Sequence, residues 1–195
     1  MLKYEFMEYP DLLKDFDKMK KKEAEKYFNW YINEINNRIL YLKTYMQKDI
    51  EGESIFDYTP ESLIPLWEWF QTKIEFEEMT ENEIQQELED SPNRLKFLVL
   101  EDTRKISLNT LSIATDVANY FAEVFRKNNP SIYWGFFTKP KNRISVNEPV
   151  LLGFIGNDDL NPRLIISNCI WKSEEQKNPN MLYDIYHVWL EYILR

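Results

Sequence analysis

Between Ser107 and Lys127 the chain carries a run that fits only an enclosed position. Asn109, Ser112, Asp116, Asn119, Glu123 and Arg126 recur at i, i+3, i+7, i+10, i+14 and i+17, one narrow stripe on a helix, and most of the other positions are apolar. A helix that is apolar over most of its circumference must be covered by other elements. The spacing therefore predicts a central buried helix over about 108–127, with Ser107 as its N-cap. Ala114, Ala118 and Ala122 at i, i+4 and i+8 add a ridge of small side chains that lets a neighbour approach closely. The polar stripe has two readings. Asp116, Asn119 and Glu123 either line a polar pocket or form the helix's one wet face, and the wet face is the simpler account.

The rest of the chain is organised around that helix. Ala24, Phe28, Tyr31, Ile32, Ile35, Ile39, Leu42 and Met46 fall on one helical stripe, with Asn36-Asn37 leaving open whether residues 20–47 form one helix or two. Gly52 and Asp57 mark a loop, and Thr59-Pro60 reads as a cap followed by first-turn proline. Thr80 and Glu83 have capping-box spacing, which predicts a short helix from Glu81 to just before Ser91-Pro92. Leu95 to Val99 fits a strand or a helix. After Asn128-Asn129-Pro130 the period becomes strand-like, with strands near 132–138, 143–147 and 150–155. Gly135 and Gly153 inside these runs signal close backbone approach. Asn161-Pro162 opens a helix, with a strand over 164–170 as the alternative, and the chain closes on a helix bearing Leu182, Ile185, Trp189 and Ile193. The expected fold is α+β: a predominantly helical domain whose small, mostly antiparallel sheet packs on the alanine ridge. Without a repeat or a Gly/Ser-rich linker, residues 1–195 read as one domain, with 1–18 as an appended arm.

The chemistry available is sparse. The chain has four glycines, one histidine and one cysteine. Gly52, Gly135, Gly153 and Gly156 fit no phosphate-cradling loop, which removes kinases, P-loop NTPases and dinucleotide enzymes. A zinc site of the His/Cys type cannot be assembled from one of each. One cysteine also excludes an intramolecular disulfide, so a reducing cytoplasm is expected. No apolar segment has the length of a membrane span, and MLKYEFMEY lacks the texture of an export signal.

Three sets of residues remain as candidates. Glu75, Glu77, Glu78, Glu81, Glu83, Glu87, Glu89 and Asp90 could hold a divalent cation, but lack calcium-loop spacing; their plainer reading is a solvated acidic face. His187 lies three residues after Asp184 and four before Glu191, an arrangement that could orient a general base or be ordinary surface pairing. Cys169 could be a nucleophile served by His187, or simply a small buried hydrophobe. No cofactor is expected. The basic residues Lys18 to Lys22, and Lys139, Lys141 and Arg143 beside Tyr133 and Trp134, could grip nucleic acid, but a net charge of −9 opposes a polyanion.

Asp116–Phe125 followed by Trp134, Pro149-Val150 and Asn161-Pro162 resembles small uncharacterised bacterial domains over a minor part of the chain, and this implies no activity. Acidic charge with 15% aromatic residues suits a non-catalytic protein-binding domain. Its concrete form is an immunity-type protein that neutralises a basic toxin such as a nuclease, with the acidic stretch 75–90 as the binding patch. The alternatives are an enzyme with a carboxylate-bound metal or a Cys169/His187 site, and a homo-oligomeric structural protein.

Overall fold

The computed structural model describes residues 4–11, 14–50 and 55–193, so Gly52 and part of the 1–18 segment lie outside the described residues. Among these, seven α-helices and two small antiparallel sheets make an α+β, mostly helical fold. The central element is α5 (Leu108–Asn128), capped by Ser107, whose hydroxyl accepts from the Thr110 N–H. Val117, Ala118, Tyr120, Phe121, Ala122, Val124 and Phe125 on it have no exposed surface.

α5 is enclosed mainly by helices, and the small sheet reaches it at Trp134, whose indole donates to Glu123. Its main neighbours are α6 (Pro162–Glu175) and α1 (Lys21–Met46). The reason is size: each strand is only three residues long, too little surface to cover a helix of 21. α1 runs unbroken through Asn36-Asn37, which face solvent; it buries Tyr27 and Arg38, whereas Phe28 and Ile32 of the expected stripe are only partly buried. α2 (Leu63–Gln71) follows a 3-10 turn at Pro60–Ser62 and buries Leu63, Leu66, Trp67 and Phe70 completely. Thr59 does not cap it by its side chain; its hydroxyl donates to Asp57 instead.

α3 (Glu81–Asp90) carries the expected capping box, with Thr80 N–H donating to Glu83 at 2.8 Å and Glu83 N–H to the Thr80 hydroxyl at 3.3 Å. The ambiguous segment that follows is helical, α4 (Lys96–Glu101). α6 begins at Asn161, whose side-chain oxygen accepts from the Arg163 and Leu164 N–H groups, so the 164–170 strand does not form. α7 (Met181–Leu190) packs on α2. None of the helices among the described residues is long and apolar enough to cross a membrane.

Two sheet expectations are corrected. β3 (Tyr133–Gly135) pairs with β4 (Val150–Leu152), but residues 143–147 form turns rather than a strand between them. Asn147 sits at φ +62, a left-handed conformation that a strand cannot carry, and its side-chain amide donates to the Phe16 carbonyl. A second sheet, β1 (Phe76–Glu78) with β2 (Arg104–Ile106), arises inside the acidic stretch. Glutamate is a poor strand former, yet Glu77 lies opposite Lys105 and Glu78 opposite Arg104, so opposite charges support the pairing. Close approach does explain Gly153: its φ is +106, and a Cβ there would lie 2.2 Å from the Ser131 carbonyl oxygen.

The described part of the N-terminal segment lies on the domain and does not hang from it. Tyr4 and Met19 are buried, and Met7, Tyr9 and Phe16 pack against the core.

Candidate functional site

The two candidate catalytic residues face different surroundings. Cys169 on α6 is 3% exposed, and burial pushes its thiol up to about 12. His187 on α7 faces solvent with its ring against Tyr183 and Tyr186. Asp184, the carboxylate expected to orient the imidazole, accepts from Asn178 at 3.3 Å. No hydrogen bond joins His187 to Cys169.

The polar stripe of α5 is buried, which overturns the wet-face reading. Asp116 and Asn119 have no exposed surface and Glu123 has 3%. Each carboxylate or amide oxygen is met by a protein donor. Arg38 donates to Asp116 from Nε at 3.1 and 3.0 Å and from Nη2 at 2.7 Å, and the Tyr4 hydroxyl donates to it at 2.5 Å. Tyr31 donates to Asn119 at 2.6 Å. Glu123 accepts from Arg126 at 2.7 Å and from the Trp134 indole at 2.9 Å. Burial and the adjacent carboxylate push the Tyr4 hydroxyl well above the usual tyrosine range, which keeps it a donor. The stripe is a seam that fastens α1, β3 and the N-terminal segment to α5, with its acceptors taken.

The eight carboxylates from Glu75 to Asp90 lie around β1 and along α3. Lys105 pairs with Glu77 and Glu83, and Thr103 donates to Glu78. Glu83 is held down to about 2 by Lys105 and by the N–H and hydroxyl of Thr80. Glu75, Glu81, Glu87, Glu89 and Asp90 face solvent. Among the described residues no three acidic, histidine or cysteine side chains come together as a metal site would require. From Glu75 to Lys105 there are ten carboxylates against four cations, a net of −6 in a chain of net −9. The two cations nearest β1 are already spent on carboxylates, Lys105 as above and Arg104 on Asp102 and Glu174.

Beside this acidic surface runs an apolar trough that sequence reasoning missed. On α5, Leu108, Leu111 and Thr115 share one face at i, i+3 and i+7; on α6, Leu164, Ser167 and Trp171 do the same. Both stripes line a hollow of about 470 Å³ with Phe6, Ile144 and the Arg163–Glu148 ion pair, except that Trp171 belongs to its neighbour. That neighbour, a hollow of about 570 Å³, shares Leu111 and adds Leu98, Val99, Ile106 and Trp171, with the carboxylates of Glu87 and Asp102 balanced by Arg104 and Lys105. Leu108 is 50% exposed, Leu111 40%, Leu164 42% and Trp171 37%. The acidic strand reaches the trough directly, since the Phe76 ring lies 4.7 Å from the Trp171 ring. The only sequence signal is leucine at i and i+3 on a helix expected to be mostly buried.

Of the basic candidates, Lys20, Lys21, Lys22 and Lys139 face solvent, and others are engaged within the chain. Lys141 donates to the Asp17 and Met19 carbonyls, Arg143 pairs with Asp159, and Lys18 pairs with Asp15. Comparison with protein-family models, with curated proteins and with solved structures finds no match.

Proposed function

We propose that the chain is a non-catalytic bacterial protein-binding domain that takes a basic protein partner in the cytoplasm. Its concrete form is an immunity-type protein that covers a basic toxin such as a nuclease. The observation that supports this is the contact between an exposed acidic surface and an exposed apolar trough, joined at Phe76 and Trp171. Exposed apolar patches of this kind mark interaction sites. Flanking carboxylates steer a basic partner and repel a second copy of the same acidic chain. The separation of buried Cys169 from exposed His187 counts against the enzyme reading.

The test is co-expression with a basic nuclease encoded beside this chain. A 1:1 complex with suppressed nuclease activity, weakened by added salt, supports the proposal. Unsuppressed nuclease activity with no complex, or a stable homodimer of the chain alone in sedimentation, overturns it.

A further inference from the structure

We propose that a hollow of about 470 Å³ walled by Tyr9, Phe16, Tyr27, Trp30, Tyr31 and Arg163 binds a small, neutral, flat aromatic molecule through its carbonyl oxygen. Such a site goes beyond the binding of a basic protein and does not depend on it. The hollow shares Phe6, Thr115 and Arg163 with the trough but is otherwise built from other segments. Tyr27, Trp30 and Tyr31 share one face of α1 at i, i+3 and i+4, and the N-terminal segment brings Tyr9 and Phe16 to them. Tyr9, Phe16 and Trp30 each contact the Tyr27 ring, at centroid separations of 5.2, 5.1 and 5.4 Å. The rings therefore hold one another in place before any ligand arrives. A mostly apolar hollow of this volume with a few converging polar groups is what small-molecule sites look like.

The polar groups are donors with capacity to spare. An arginine carries five N–H groups. Arg163 donates from Nη2 to Glu148 at 2.8 Å and from Nη1 to the Tyr27 hydroxyl at 3.4 Å, while its buried Nε has no acceptor in the protein. The guanidinium carbon lies 5.1 Å from the Phe16 ring centroid and 5.5 Å from that of Tyr31, which steadies the fork against the walls. The Tyr27 oxygen accepts from Arg163, so its own proton is left to donate, and burial holds that hydroxyl above the usual tyrosine range. Tyr31 serves as wall alone, because its hydroxyl donates to Asn119. Arg163 and Tyr27 thus offer two adjacent donors to one acceptor oxygen, the complement of a carbonyl.

Charge decides against an ionic ligand. Glu148 neutralises Arg163, and the other charged lining residue, Glu8, faces solvent. Around Tyr9, Asp11 pairs with Lys26 and Lys14 with Glu23. A carboxylate or phosphate would meet Glu8 and Glu148 with no unpaired cation to hold it, and a cation would lie against the guanidinium. A neutral carbonyl meets neither obstacle.

The test is NMR titration of the full chain with three probes built on the same fused rings. Oxindole carries a neutral carbonyl, indole carries no acceptor oxygen, and indole carboxylate carries an anion. Oxindole is expected to bind with a Kd below about 1 mM and to shift the Trp30 indole N–H, with indole and indole carboxylate each about tenfold weaker. Tyr27→Phe removes one donor, and Arg163→Lys keeps a charge opposite Glu148 but loses the fork. Each should weaken oxindole about tenfold and leave indole unchanged, a split that mere loss of wall packing would not give. Val188→Ala, outside the hollow, should change neither. Circular dichroism checks that the variants fold; if Arg163→Lys does not, Tyr27→Phe decides alone. No saturation by oxindole up to about 1 mM overturns the inference, as does equal affinity for oxindole and indole, or tighter binding of the carboxylate. A complex with a basic protein partner would survive each of these failures, so the two readings fall separately.

Discussion

Arg38 and Asp116 meet across the α1–α5 interface with two guanidinium nitrogens on one carboxylate, at 3.0 Å from Nε and 2.7 Å from Nη2 to the same oxygen. Neither residue is exposed beyond 9%. Tyr4 donates to that oxygen too, so the pair also ties down the N-terminal segment. Two residues on, Phe6 forms part of the trough's wall. A buried ion pair thus positions a surface element of the proposed binding face.

Asp116→Ala leaves the guanidinium and the tyrosine hydroxyl without their acceptor in the core. Removing one partner of a buried pair costs about 3–5 kcal/mol, whereas replacing both by apolar side chains of similar volume costs far less. Urea unfolding of Asp116→Ala and of Arg38→Met/Asp116→Leu measures the difference. The single variant should be much the less stable; equal stability of the two would contradict a paired charge at this site.

Cys169 should be inert in the native chain. Burial pushes its thiol up to about 12, so almost no thiolate exists at neutral pH. A thiol-labelling reagent should modify the chain at pH 8 only after urea unfolds it, and Cys169→Ala should bind the basic partner as the parent does. Rapid labelling of the folded protein would restore Cys169 as a reactive group.

The capping box of α3 sets a pH dependence with a definite sign. Glu83 is held at about 2 in the folded chain against an ordinary value of 4.5, first by Lys105 and then by Thr80. A carboxyl depressed on folding stabilises the fold above its ordinary value, and that contribution is lost as pH falls through the folded value. The first turn of α3 should therefore loosen between about pH 4.5 and about pH 2. NMR titration of the Glu83 side-chain carbonyl should show its midpoint well below the ordinary 4.5. Glu83→Gln should remove this part of the acid sensitivity, and a midpoint in the ordinary range would contradict the assignment.

Helices were legible where local chemistry decides them. Ser107, the Thr80/Glu83 box and Asn161-Pro162 each announced a start that the structure keeps, because capping depends on residues three or four apart. The misreadings have long-range causes. β1 forms within a run of glutamates because Arg104 and Lys105, far along the chain, lie opposite it. The stripe Asp116, Asn119 and Glu123 reads locally as a polar pocket or a wet face because the partners that bury it, Tyr4, Tyr31, Arg38 and Trp134, come from distant segments. Arg38 itself sits on a stripe otherwise read as apolar. The trough was invisible for the complementary reason: Leu108 and Leu111 look like core until the neighbouring helices are placed and leave them uncovered.

The measurement that bears most directly on the proposed binding face is amide hydrogen exchange of the full chain with and without a saturating basic partner. The account predicts new protection in residues 108–115 of α5, 164–171 of α6 and along α3, with α7 unchanged. Protection confined to α7 or to the N-terminal half of α1, with none along the trough, would contradict it.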